Sequence, residues 1–348
     1  MRVSRQNFAR LLTDTVKVVE GRNTIPILST VRLVAEAGTL TVSATDLDIE
    51  VSGSISAEDG DFAACIDAKL LASIVSRVTG DDLLLEEDGH GATLRSGRSK
   101  YKLEVLPTSD FPDMNAGAFE IEFEADLSSF LAPVSFAMST EQTRFYLNGV
   151  YLHEQDGLLV ACATDGHRLS TQTTEGVGRF VPAIIPRKTV GLLPEGTLKV
   201  ELSDSKVRFT APNVVITSKL IDGTFPDYER VIPKSNDKLI QVDAAELRAA
   251  AARVIVVSSD RGRGVRLSVA GGQISLLARG SGEATDVVEC NYDGDPVEVG
   301  INAQYLSDIL AALPDGIIQI AIFDSGSPLL FSSPSNANLR VVGMPMRV

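Results

Sequence analysis

The chain has 348 residues, three cysteines, no tryptophan and a formal net charge of −14. That is enough chain for several aliphatic-cored domains, and too acidic a protein to coat nucleic acid over its whole surface. Short apolar runs exclude a transmembrane helix. The opening MRVSRQNFAR has no apolar signal-peptide region, and Cys65, Cys162 and Cys290 lack metal or redox spacing, so a reducing cytoplasm and no metal or cofactor are expected.

The first predicted element is a helix. Phe8, Leu11, Leu12, Val16 and Val19 fall within an arc of about 140° at about 100° per residue, with Gln6, Arg10 and Lys17 opposite. A strand–turn–strand follows over Val31–Ala44, then a second helix over Asp67–Val78 and strands over Leu83–Ser96. The order then recurs. Asp126 is placed to cap a helix over Leu127–Met138, where Pro133 is a kink point, and Val150–Ala163 is the next strand–turn–strand. Pro186–Gly196 leaves room for only one or two helical turns. The last third reads as a helix over Asp243–Val257, a hairpin over Val265–Ala278, a helix over Asn302–Leu313 and strands over Ile317–Ser333.

The three hairpins are one pattern written three times. From the anchors Val31, Val150 and Val265, the second residue on is Leu33, Leu152 or Leu267 and the seventh is Gly38, Gly157 or Gly272. The ninth is Leu40, Leu159 or Ile274, and the thirteenth is Ala44, Ala163 or Ala278. The turns Ala-Gly, Asp-Gly and Gly-Gly suit positive φ. The spacing predicts an α+β fold of three repeated domains, at residues 1–117, 118–236 and 237–348. ATD recurs at Ala44–Asp46 and Ala163–Asp165, and FPD at Phe111–Asp113 and Phe225–Asp227. The joins near Ala116–Glu120 and Ser235–Lys238 are short, so the domains are expected to be held in a fixed arrangement.

Longer stretches carry a family resemblance: Thr24–Leu33, Ala44–Glu50, Leu94–Met114, Arg144–Leu152, Ala163–Ser170, Ile184–Lys188, Thr217–Pro233 and the terminal Met344–Val348. In this order and spacing they resemble the bacterial DNA polymerase III β subunit, the replicative sliding clamp. The resemblance implies three copies of one clamp domain per chain, paired head to tail into a homodimeric ring with helices lining the hole and sheets outside. It implies a non-catalytic subunit that encircles double-stranded DNA without sequence preference. Its expected partners are a second copy, the polymerase III catalytic subunit, the clamp loader, and other clamp-binding polymerases and repair proteins.

The resemblance also assigns residues. A partner-peptide pocket is implied at Leu147, Thr164, Gly166, His167, Arg168, Leu169, Pro226, Arg230, Val231, Asn302, Tyr305, Leu329, Met344, Pro345, Met346 and Arg347. Apolar and methionine side chains suit an adaptable trough. The terminal MPMRV reads equally as a last strand closing a core. DNA contact is implied at Arg10, Lys17, Arg22, Lys69, Phe145 and Tyr146; in an unknown protein the basic residues would read as a solvated helix face. A dimer seam is implied at Arg98, Lys100, Tyr101, Leu103, Val256, Val257, Glu283 and Asp286, with Arg98 and Lys100 facing Glu283 or Asp286.

Some positions depart from the family pattern: Glu141 where a neutral polar residue is frequent, Gly262 where some members have an aromatic, Gly343 before the Met-Pro-Met, and the shortened 186–196 segment. These keep a second reading open, a secondary clamp copy conferring antibiotic resistance. An enzyme using Asp165 and His167 is the reading from another class. With three histidines and no nucleophile elbow, phosphate loop or metal cluster, it has little support.

Overall fold

The computed structural model describes residues 1–89, 91–114, 117–258 and 264–347. Each repeat holds two four-stranded antiparallel sheets. The first runs β1 (Arg2–Ser4), α1 (Arg5–Thr15), β2 (Thr30–Glu36), β3 (Thr39–Thr45), β4 (Ile49–Ser56) and β5 (Phe62–Asp67), then α2 (Ala68–Arg77), β6 (Asp82–Asp88), β7 (Gly91–Ser96) and β8 (Ser99–Glu104). The second runs β9 (Ile121–Ala125), α3 (Leu127–Ser135), β10 (Gly149–Gln155), β11 (Leu158–Thr164), β12 (Arg168–Glu175) and β13 (Ala183–Pro186), then α4 (Arg187–Val190), β14 (Leu198–Leu202), β15 (Lys206–Thr210) and β16 (Val215–Lys219). The third runs β17 (Lys238–Asp243), α5 (Ala244–Ile255), β18 (Gly264–Ala270), β19 (Gln273–Arg279), β20 (Glu283–Asn291) and β21 (Val297–Asn302), then α6 (Ala303–Ala312), β22 (Ile317–Ile322), β23 (Leu329–Ser333) and β24 (Asn336–Gly343).

The three signature hairpins are β2–β3, β10–β11 and β18–β19. Both turn residues have positive φ in each: Ala37 and Gly38, Asp156 and Gly157, Gly271 and Gly272. That is the two-residue turn whose twist matches antiparallel strands, and it accounts for the recurring glycine. Helix starts follow the sequence as well. Asp67 accepts the Leu70 amide, Asp243 those of Ala245 and Glu246, and Asn302 those of Gln304 and Tyr305, each satisfying donors that a helix start leaves unpaired.

Two helices end earlier than the periodicity predicts. α1 stops at Thr15 and tightens into a 3₁₀ turn over Val16–Val18, which buries Val18 in place of Val16 and places Lys17 on the turn. Three residues per turn rotates the stripe away from the 3.6-residue pattern. α3 ends at Ser135, two residues past Pro133.

Strand pairing joins the repeats. The sheets read β1-β6-β7-β8; β5-β2-β3-β4-β16-β15-β14-β9; and β13-β10-β11-β12-β24-β23-β22-β17-β20-β19-β18-β21. The chain therefore forms two compact units, Met1–Leu127 with Gly191–Leu220 and Ser128–Val190 with Ile221–Val348. Each unit contains one joint made by continuous backbone hydrogen bonds. In the first, α1 packs on α2 and on β4; in the second, α5 packs on α6 and on β20. The core of the third repeat is aliphatic, with Leu247, Leu267, Leu276, Ile301, Leu306, Ile309 and Phe331 almost fully buried.

Candidate functional site

The two joints are built alike. Ile49 of β4 pairs with Ser218 of β16, and Arg168 of β12 pairs with Gly343 of β24. Just before each register lies an ATD turn. Asp46 Oδ1 accepts the amides of Asp48 and Ile49 at 2.9 and 2.7 Å; Asp165 Oδ1 accepts those of His167 and Arg168, both at 2.9 Å. Thr45 and Thr164 each donate a hydroxyl across the turn at 2.8 Å, to the Ile49 and Arg168 carbonyls. The Asp48 carbonyl then accepts the Lys219 amide, and the His167 carbonyl the Met344 amide, both at 2.8 Å. The side chains differ. The first turn presents Asp48, paired with Lys219 at 2.9 Å, and the second presents Gly166, His167 and Arg168.

That second turn is held against α6 and the terminal segment. His167 stacks on Tyr305 of α6 with centroids 5.7 Å apart. The Arg168 guanidinium is bonded by Asp165 at 3.1 Å and by Asp308, and lies over the Tyr305 and Phe136 rings at 4.7 and 5.2 Å. The terminal segment follows: Met344 is held by His167, Pro345 bridges Ile301, and the Met346 amide donates to the Gly300 carbonyl at 2.8 Å. A cavity of about 630 Å³ opens beside Met344, lined by Asp227, Glu229–Lys234 and Pro328. Leu147, Leu169, Phe225, Tyr228 and Val342 belong to one buried apolar cluster, with Leu330 and the cavity-lining Ile232 packed against it.

Of the implied pocket positions, the structure brings Leu147, Gly166, His167, Arg168, Leu169, Arg230, Val231, Tyr305, Met344, Pro345 and Met346 into this region. Pro226 and Arg347 are exposed nearby in the chain. Thr164 and Asn302 have committed their oxygens to the turn and to the α6 cap. Leu329 is fully buried in the third-repeat core. Asp308, Phe136, Pro328 and Leu330 were not picked out in sequence, because each arrives from a remote segment without a local motif. The Gly262 position and Val348 lie outside the described residues.

Family models for the N-terminal, central and C-terminal domains of the DNA polymerase III beta subunit match residues 1–115, 123–227 and 229–347. The chain belongs to the DNA polymerase III beta subunit family. The beta subunit is the non-catalytic sliding clamp of DNA replication. The Beta sliding clamp of Caulobacter vibrioides is 37% identical over 99% of both chains, and that of Pseudomonas putida 34% identical over 99% of both. A sliding clamp from Bartonella birtlesii bound to griselimycin is 39% identical with a TM-score of 0.96, covering 100% of this chain and 99% of that one. A Pseudomonas aeruginosa clamp with ligand, 32% identical, superposes with a TM-score of 0.93 over 100% of this chain and 99% of that one. These relatives carry the clamp name without a paralogue qualifier, so the secondary-copy reading is not favoured.

The clamp geometry also argues against acid–base chemistry at Asp165 and His167. Both Asp165 oxygens are occupied by backbone amides and Arg168, and the imidazole stacks on Tyr305. Among the described residues no cluster is arranged to hold a metal, and no helix is long and apolar enough to cross a membrane.

The implied DNA-contacting cations Arg10, Lys17, Arg22 and Lys69 are exposed. Lys69 Nζ lies 3.4 Å from the Glu20 and Gly21 carbonyls, beside Arg22, and Lys17 pairs with Asp14 at 3.2 Å. Arg10 lines a groove with Asn7, Leu11, Asp14, Ile55 and Asn213. In the second unit, Phe145 is exposed with its ring edge-on to Tyr146, and Glu141 pairs with Arg144 at 2.8 Å. At the implied seam, Arg98 and Lys100 are exposed, Tyr101 is half-buried and Leu103 is buried. Val256 is 79% exposed and Val257 half-buried. Glu283 pairs with Arg279 at 2.7 Å and Asp286 with Arg253 at 2.5 Å, so both carboxylates have partners in their own chain.

Proposed function

We propose that two chains close head to tail into a ring around duplex DNA, and that the groove beside Met344 takes the short segments by which polymerases, the clamp loader and repair proteins attach. The observation that carries the ring is the repeated joint. In each repeat the second sheet ends in β8, β16 or β24, and the first sheet ends in β4, β12 or β20. β16 is joined to β4 and β24 to β12, so β8 and β20 are the two halves left over. β8 pairs only with β7, and β20 meets β17 only through Asn291 and Cys290, among the described residues. Open strand edges need covering. A second copy placing its β20 on β8, and its β8 on β20, covers both edges with a joint the chain already makes twice.

Such a clamp holds DNA topologically, so it needs little direct affinity. Arg10, Lys17, Arg22 and Lys69 supply a local positive field within a chain of charge −14, which favours phosphate there and repels it elsewhere. Phosphate contact without base contact carries no sequence preference and permits sliding. The protein is expected to work in the cytoplasm, where replication takes place in bacteria. The test is retention after loading. Clamps loaded onto nicked circles should stay much longer than on linear DNA of the same length; equal lifetimes would refute the ring.

A further inference from the structure

Tyr151, His153 and Gln155 alternate along one face of β10, and each holds one residue of the segment that walls the groove. The Phe225 ring stacks on Tyr151, with centroids 4.7 Å apart and planes 4° from parallel. Tyr228 Oη lies 2.9 Å from His153 Nε2 in a buried contact. Gln155 Nε2 donates to Glu229 Oε1 at 2.5 Å. Immediately after this attachment, residues 230–234 line the groove that Met344 also borders.

We infer that His153 is a positioning residue for the peptide groove: by holding Tyr228 it sets where Arg230 and Val231 stand. The inference rests on reading that groove as the peptide site. The central anchor is the buried polar bond of the three; the Gln155–Glu229 bond is exposed, and Thr171 also bonds the Tyr228 hydroxyl. Tyr151 and Phe225 fix the plane of the segment by stacking, which tolerates sliding, whereas a hydrogen bond to one ring nitrogen fixes the rotation of the 3₁₀ turn over Tyr228–Val231. A buried phenol that loses one of its partners is destabilised.

The contact also responds to pH. His153 is 8% exposed, and burial pushes its pKa below the ordinary histidine value. The groups facing it are Tyr151 and Glu154 from β10, Tyr228 and Glu229 from the segment, and Cys162 from β11, which faces Tyr228. Burial raises the phenol of Tyr228 and the Cys162 thiol, so both stay neutral. Glu154 and Glu229 favour the imidazolium without overcoming burial. A depressed folded-state value means the docked segment binds fewer protons than an undocked one. Docking is complete above the ordinary histidine value, about 6.5, and weakens as pH falls below it.

The test measures amide exchange of residues 225–232 and griselimycin affinity by calorimetry, at about pH 7.5 and about pH 5.5, either side of the ordinary histidine value. His153→Leu and Tyr228→Phe should each speed exchange of the segment and weaken binding by about fivefold, the scale of one net hydrogen bond. His153→Gln, a neutral polar side chain, should restore most of the affinity at the higher pH and show a smaller loss on acidification than the parent. The parent and His153→Gln share every other histidine, so the difference between their profiles isolates His153. Should His153→Leu fail to fold, the pH profile of His153→Gln decides, since Tyr228→Phe also removes the Thr171 bond. Parent-like exchange in the folded variants overturns the inference, as does altered exchange with parent-like affinity. If the parent itself fails to bind griselimycin while exchange responds, the peptide-site reading falls and the positioning of the segment stands.

Discussion

The Arg168 guanidinium lies over the Tyr305 ring, 4.7 Å from its centroid, and so ties a turn of the middle repeat to a helix of the third. Its edges are held by Asp165 and Asp308, and the side chain is 11% exposed. Removing one member of such a group matters more than the group's net worth, because what remains is an unpaired buried charge. Arg168→Ala leaves two carboxylates facing each other and should cost about 3–5 kcal/mol. Asp308→Asn leaves Arg168 paired with Asp165 at a site 30% exposed, so about 1 kcal/mol is expected. Urea unfolding of both variants checks the ordering; equal losses would mean Asp165 contributes nothing.

Leu47 and Gly166 occupy the same place in the two ATD turns, with φ of +79° and +89°. A leucine in this region is strained, and a glycine is not. Leu47 is also 41% exposed, so its side chain returns little packing. Leu47→Gly should therefore raise stability by about 0.5 kcal/mol, the strain relieved exceeding the added chain entropy. Gly166→Ala should lower it by about 1 kcal/mol or more, since a Cβ there would meet the Arg144 guanidinium at 2.6 Å. Melting curves of the two variants should move in opposite directions.

The parts legible in the sequence are those fixed by neighbours in the chain. Ala37-Gly38, Asp156-Gly157 and Gly271-Gly272 announced their turns because alternation on both sides fixes the register and few residues accept positive φ. Asp67, Asp243 and Asn302 announced helix starts by short-range capping. The end of α1 did not show, because a 3₁₀ turn changes the period that the apolar pattern is read against. The pairing of Ile49 with Ser218 carries no local mark, although it decides which repeats join. The groove was legible at the ATDGHR and MPMRV segments but not at Asp308 or Phe136, which matter only through Arg168.

Glu50 provides a pH test in the first unit. Burial raises its pKa above the ordinary 4.5 and Asp113 adds to the rise, against the opposing Met114 amide, Arg32 and Arg208. A raised folded-state value means the folded chain binds the proton more tightly. Its favourable contribution is full below the ordinary value and is lost as pH rises through the folded one. Glu50→Gln keeps an acceptor for the Met114 amide, 3.3 Å away, and removes the half-buried charge. The variant should be more stable than its parent at about pH 7 and lose that advantage near pH 4. Melting temperatures at the two pH values check the sign; an advantage confined to acid would reverse it.

The seam between chains is tested by treating exposed and buried candidates separately. Val256 is 79% exposed at the end of α5, so a charge there has little effect on the fold of one chain. If β20 and α5 meet β8 of a second copy, Val256→Glu desolvates a carboxylate in an apolar contact, and Lys100→Glu with Tyr101→Glu places like charge on the opposite edge. Both should give particles of 37.1 kDa by light scattering in place of twice that mass, with the melting of each chain's own fold nearly unchanged. Leu103 is 5% exposed and packs inside its own sheet. Leu103→Glu should therefore cost several kcal/mol of fold stability, about the cost of an unpaired buried charge, so loss of dimer in that variant alone would say nothing about the seam. A dimer persisting in both surface variants would move the contact away from β8 and β20.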